Sequence, residues 1–266
     1  MNKIYIDSHF KTKDSQSNTD FKIYLNQSLE IKEDMKMYIT DISIPDTWYS
    51  IESTNENLYV LITENGISRH LLIKLDNKNY SVVELAAHIQ VKLRAASNKT
   101  FTISYASNTG RLTFNVSQTN FTYSILTDSQ LKSFVGWTGQ YYNPNNIKSC
   151  NDILNNEISQ VCSSTSIYVS GFVNTMNYAN LYLHSNISSF ENIGPDGNGT
   201  NIIKKIPTTA PYGSLMTNYD FNLLDYTLIK NRNAISMLEF KFTDAFNNVI
   251  NLHGSHVSFT LLFTND

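Results

Sequence analysis

The sequence predicts a mainly β protein: a single eight-stranded jelly roll (a two-sheet antiparallel sandwich) with an inserted small α/β unit. Three observations predict it. Apolar and polar residues alternate with period two through much of the chain, which turns one face of each segment toward a core. One stretch, 81–96, switches to three- and four-residue spacing and breaks the β pattern. The strand groups before residue 52 and after residue 160 are each too few to close a two-sheet core, so they must pair with one another around what lies between. Together they match the length of one eight-stranded jelly roll at roughly 5 to 6 residues per strand plus loops.

The elements follow in order. Lys22-Ile23-Tyr24-Leu25 alternates, as do Met35, Met37 and Ile39 against Lys36, Tyr38 and Thr40, so both read as strands. Segments 57–63 and 69–75 flank Glu64-Asn65-Gly66, whose Asn-Gly pair favours a hairpin. Ser81-Val82-Val83-Glu84 is a capping box, and Val82, Leu85, Ile89, Leu93 and Ala96 follow on one face, so 81–96 is an amphipathic helix. Phe101, Ile103 and Tyr105, then Leu112, Phe114 and Val116, flank a turn ending at Gly110, and Phe121, Tyr123 and Ile125 continue the sheet. A shorter helix is expected over 128–135, with Gly136 at its stop position. Residues 57–137 thus read as a compact ββαβββα unit.

Residues 140–160 turn polar and Asn-rich and read as a connection. Strands resume at 166–173 and 179–184. A loop-rich stretch over 188–213 separates them from a final group at 221–229, 236–243, 249–252 and 256–263. The expected organisation is a discontinuous jelly roll, 1–54 and 141–266, with 55–140 inserted.

Composition narrows function. Hydrophobic residues make up 41%, aromatics 12% and charged residues only 16%, where a soluble protein averages about a quarter charged. So much aromatic surface excludes a disordered chain. A net charge of −3 gives no basic footprint for nucleic acid, so no specific nucleic-acid partner is expected. Only 10 Gly and 5 Pro punctuate the chain against 33 Asn, so Asn, which tolerates left-handed turns, supplies many of them. Lys outnumbers Arg 16 to 4, and with the Asn and Ile excess this suggests an AT-rich coding sequence. The first ten residues hold no apolar signal core and no later window approaches 18 uninterrupted apolar residues, so neither secretion by that route nor a membrane span is expected. Cys150 and Cys162 are too few for a disulfide framework. Seven Asn-x-Ser/Thr sequons, from Asn26 to Asn198, are what such a composition makes by chance.

No nucleophile elbow, phosphate loop, His-Glu-x-x-His or Cys-x-x-Cys pattern occurs. His253 and His256 lie close in sequence, but a metal would need a third ligand from elsewhere, and around Gly254 they read as turn-flanking surface residues. Asp196-Gly197-Asn198-Gly199 lacks the ligand spacing of a calcium loop. Asp7, Ser8 and His9 match a catalytic triad only in composition and read as an N-terminal arm or first strand. Trp48 and Tyr49 read as core or subunit contact, with stacking on a sugar or base as the alternative. Met35 and Met37 read as core filler. No catalytic, cofactor-binding or metal-binding residue is expected, and no cofactor.

Several phrases then stand out as an ordered set: Ile6-Asp7-Ser8; Asp20-Phe21-Lys22-Ile23-Tyr24-Leu25; Ile42-Ser43-Ile44-Pro45-Asp46-Thr47-Trp48-Tyr49; Asn79-Tyr80-Ser81 before Glu84-Leu85; and Gly110-Arg111-Leu112-Thr113-Phe114. Leu238-Glu239-Phe240-Lys241-Phe242 and Val257-Ser258-Phe259-Thr260-Leu261 complete it. In these the chain resembles the penton (minor capsid) proteins of virophages and related Polinton-like viruses. It departs from their pattern at Asn79, where the helix-start phrase carries glycine, and at Trp137, where Phe is common. The resemblance implies a structural capsid protein, not an enzyme: a homopentamer at the vertices of an icosahedral virion, beside a double jelly-roll major capsid protein, assembled inside the infected host cell, in its cytoplasm. The reading of the residues alone leaves open a carbohydrate-binding jelly-roll module, a lectin or fibre head.

Overall fold

The computed structural model describes residues 2–32, 35–126, 154, 162–163, 167–188, 192–218, 222–229 and 234–264. Strands β1 (Asn2–Asp7), β2 (Asp20–Glu30) and β3 (Lys36–Pro45) come first, with a 3-10 turn at Ser8–Phe10. There follow β4 (Asn57–Glu64), β5 (Ile67–Lys74), helix α1 (Val82–Ser97), β6 (Phe101–Ala106), β7 (Arg111–Val116), β8 (Phe121–Ile125), β9 (Cys162–Ser163) and β10 (Tyr168–Phe172). The chain continues with β11 (Asn180–Ser185), β12 (Asn192–Ile193), β13 (Gly199–Thr200), β14 (Ile202–Pro207), β15 (Leu215–Asn218), β16 (Thr227–Leu228), β17 (Ala234–Thr243) and β18 (Ser258–Thr264). They divide into two units, Met1–Trp48 with Tyr178–Asp266, and Tyr49–Asn177.

The discontinuous unit is a jelly roll. One sheet runs β1-β18-β3-β15 and the other β14-β11-β17-β2. Counting these eight strands along the chain, first pairs with last, second with seventh, third with sixth and fourth with fifth, all antiparallel. That nesting is one long hairpin rolled up, and β18 on β3 and β17 on β11 complete the two sheets. Burial alternates along β17 but runs almost unbroken through β18, and the inward residues form one cluster. At its centre the Phe259 ring meets Phe240 edge-on at 4.9 Å and Phe242 at 6.0 Å. Met35 and Met37 are buried there as filler.

The inserted unit has its own core. Sheet β5-β4-β8-β9 and sheet β10-β7-β6 accompany α1. Ser81 caps α1 by accepting from the Glu84 amide while Glu84 returns a bond to the Ser81 amide, as the sequence predicts. Leu85, Ile89 and Leu93 are fully buried beside Phe101, Phe114 and Tyr123. Asn98 ends the helix in the left-handed conformation. Among the described residues, four of the five non-glycine positions with positive φ are Asn (Asn65, Asn98, Asn120, Asn247), which bears out the turn role read from composition. Gly110 has φ +66, and a Cβ there would stand 2.4 Å from the Phe172 ring.

The structure corrects the sequence reading in four places, the simplest being the strand expected over 221–229, of whose described residues only Thr227–Leu228 form a strand. The inserted unit extends to Asn177, not 140, because 168–172 completes the sheet of β6 and β7: β10 pairs with β7, and Ser170 Oγ accepts from the Leu112 amide. The predicted strand at 166–173 is therefore not a jelly-roll strand. The stretch read as loop over 188–213 contains β14, an edge strand with Lys204 and Lys205 between inward Ile203 and Ile206 and a terminal Pro207. Residues 249–252 form only a bridge from Val249 to Thr243, not a strand. The helix expected at 128–135 lies outside the described residues.

Each unit closes on itself where the chain passes between them. In the sandwich Trp48 meets Tyr178 edge-on at 5.8 Å. In the inserted unit Asn177 Nδ2 donates to the Tyr49 carbonyl at 3.0 Å.

Candidate functional site

At the end of β1 the chain turns sharply, and the turn is fastened to the loop before β18. Ser8, fully buried, donates its amide to the Val257 carbonyl at 3.0 Å and accepts the Val257 amide on Oγ at 3.1 Å. Ser8 Oγ also meets His256 Nδ1 at 3.0 Å. Asp7 Oδ1 accepts from the His9 amide at 2.9 Å and meets His9 Nδ1 at 2.7 Å. The two imidazoles stack, centroids 3.5 Å apart and planes within 15°. Partial burial works to raise the Asp7 carboxyl, but the bonds from His9 outweigh it and hold the group below its ordinary value. His256 is held below the usual imidazole range by desolvation, with the neighbouring His9 and Lys11 adding to it.

Asp7, Ser8 and His9 are thus brought together with His256, which the sequence reading placed apart from them. The bonds run Asp7 to His9 and Ser8 to His256, so no one imidazole joins an acid to a hydroxyl, and the triad geometry is not made. Asp7, His9 and His256 each bring a ligand atom within 4.8 Å of the other two. His253 is exposed at the turn, with φ 49, and is not one of the three.

The other residues singled out take structural places. Trp48 is buried in the jelly-roll core, which withdraws it from any sugar or base. Asp196 spends its carboxylate inside its own exposed loop, on the Asn198 amide and side chain. Buried His184 lies between Asn201 and Thr243, at 2.8 and 2.9 Å. Asp46, 5% exposed, has its carboxyl pushed up to about 6 by burial. These are groups of the fold.

A second kind of surface lies along the open sides of the sandwich. By the sheet orders, β1 and β2 border one side, and β14 and β15 the other. Tyr5 on β1, Phe10 just after it and Tyr24 on β2 are exposed by 78%, 78% and 60%. On the other side Tyr212 and Leu215 are exposed, and a cleft of about 330 Å³ opens between β3, β14 and β15 over Ile42, Ile44, Ile206 and Met216. The two sides differ in residues and shape, and both carry apolar surface outward.

No protein-family model matches the sequence, and no curated protein does either. Solved structures similar to the chain include that of the selenomethionine-labelled mavirus penton protein, with a TM-score of 0.55 at 10% identity over 99% of this chain and 99% of that one. At that identity the likeness is one of fold, and it spans both units.

Proposed function

We propose that the chain is a non-enzymatic structural protein of a viral capsid, a penton that associates as a homopentamer at the vertices of an icosahedral virion. The observation that carries this reading is the fold likeness to a mavirus penton protein over the jelly roll and the inserted unit together. The surface chemistry supports it. A subunit that meets its neighbour through two different sides makes a heterologous contact, which either closes into a ring or grows without limit, and a vertex requires the ring. The β1–β2 side with Tyr5 and Tyr24 and the β14–β15 side with Leu215 and its cleft are two such unlike surfaces. Exposed aromatic and apolar side chains on both suit them to contact between subunits. The neighbours in the shell are double jelly-roll major capsid proteins of a virophage-like particle, and assembly takes place in the cytoplasm of the infected cell.

Native mass spectrometry of the purified chain at high concentration tests the proposal. The expected result is a species of five times the 30.3 kDa subunit mass, growing with concentration because capsid neighbours are absent. Replacing Tyr5 and Tyr24 together by Asp should abolish that species and leave the thermal transition in place. A stable trimer, or a monomer at every concentration, overturns the pentamer.

A further inference from the structure

We propose that Asp7, His9 and His256 form a binding site for a divalent transition-metal ion of the zinc class, which clasps the first strand of the jelly roll to the loop that leads into the last. The sequence pair His253 and His256 needs a third ligand from elsewhere to hold a metal, and folding supplies two further groups, from residues about 250 positions away along the chain. His253 is not used.

The donor set selects the ion. Two imidazoles and one carboxylate suit zinc, copper or nickel, whereas calcium and magnesium take oxygen ligands. The supporting contacts also match those of metal-binding histidines, which characteristically hold one ring nitrogen on a hydrogen-bond partner and present the other. Here His256 rests Nδ1 on Ser8 Oγ, itself buried and fixed by the Val257 amide, and so offers Nε2. His9 Nδ1 and Asp7 Oδ1 already share a hydrogen at 2.7 Å, and a cation that replaces that hydrogen meets both donors at once. Three donors around a tetrahedral ion at about 2.1 Å stand roughly 3.4 Å apart, so a set within 4.8 Å has to close by no more than a side-chain movement. The stack defines which one moves. Parallel rings 3.5 Å apart send their in-plane lone pairs side by side, and His9, 60% exposed against the buried anchoring of His256 through Ser8, is the ring with room to turn. A fourth position is left for water.

The test uses the full-length chain without an affinity tag, stripped with a chelator and titrated with cobalt(II), whose visible bands report tetrahedral nitrogen and oxygen ligation, then with zinc in competition. One ion per chain is expected, with a zinc-dependent rise in melting temperature that calcium and magnesium do not produce. His9→Ala and His256→Ala should each weaken binding by more than about tenfold, Asp7→Asn should weaken it as well, and His253→Ala should leave it unchanged. The exposed position of His9 keeps its variant folded, which the metal-free melting temperature verifies. Absence of cobalt bands at millimolar ion, retention of binding in the His9→Ala/His256→Ala double variant, or an equal loss in His253→Ala overturns the site. None of these outcomes depends on whether the chain assembles.

Discussion

The two units are built on opposite principles of pairing. In the inserted unit β4 pairs with β5 through a tight Asn65-Gly66 turn, β6 with β7 through a turn ending at Gly110, and α1 is started by its own capping box. In the jelly roll the outermost pair joins Asn2 to Phe263, the next two also join segments far apart in the chain, and only the innermost, β11 with β14, is close in sequence. The first design places its instructions next to the residues that use them. The second distributes them, so its order is set by burial of the whole inner face. Slower, nonlocal pairing follows for most of the sandwich, whereas the insert has fast local hairpins and a helix beside its nonlocal pairs β4 with β8 and β7 with β10.

The largest effect that separates the two is Ile89→Asp. It places an unpaired charge in the core of the insert, where Ile89 is fully buried, and should cost on the order of 4–5 kcal/mol. Because the clusters of the two units are separate, amide hydrogen exchange should lose protection within 49–177 and keep it in the strands of the sandwich. Uniform loss across both would mean that they unfold as one. Phe259→Ala is the counterpart on the other side. It removes the ring between Phe240 and Phe242 and should cost about 3–5 kcal/mol, with exchange protection lost in the sandwich first; an exchange profile that leaves 234–264 as protected as before would refute the assigned centre of that core.

A smaller, pH-dependent effect concerns Asp46, a buried acid of the jelly roll. Its native value is raised by burial from 3.8 to about 6. The charged form is therefore disfavoured by folding: the penalty is absent below pH 4, grows between pH 4 and 6, and is complete above 6. Sandwich stability should fall by up to about 3 kcal/mol across that window from this group, and Asp46→Asn should flatten the profile. An unchanged slope of chemical-denaturation stability against pH in the variant would remove Asp46 as its cause.

What was legible in the sequence follows the same division. Ser81 and Glu84 are three residues apart, and the helix they start was readable to within a residue. The hairpins around Asn65 and Gly110 were readable because turn chemistry is local. Tyr168–Phe172 reads as a strand in the sequence, but its sheet does not follow, since alternation reports a buried face and not the partner that covers it. The edge strand Ile202–Pro207 is hidden by its two lysines and terminal Pro207, the same devices that keep an edge from pairing with strangers. The meeting of Asp7 and His9 with His256 had no local signal at all. Only the pairing of first strand with last brings them together, and the His-Gly-Ser-His spacing, read as incomplete, was the one hint available.

The paired closures at the junction, Trp48 on Tyr178 on one side and Asn177 on Tyr49 on the other, also bear on ancestry. A segment whose two ends emerge side by side from its host lengthens one connection and leaves every strand pair of the roll as it was. Loop-closure entropy grows only logarithmically, about 0.6 kcal/mol for each doubling of a flexible loop, and an insert folded with its ends already together adds less. Such a joint behaves as a socket: modules of different size and surface can be exchanged there over evolutionary time, or by recombination in the laboratory, while the nested scaffold around Phe259 keeps its register.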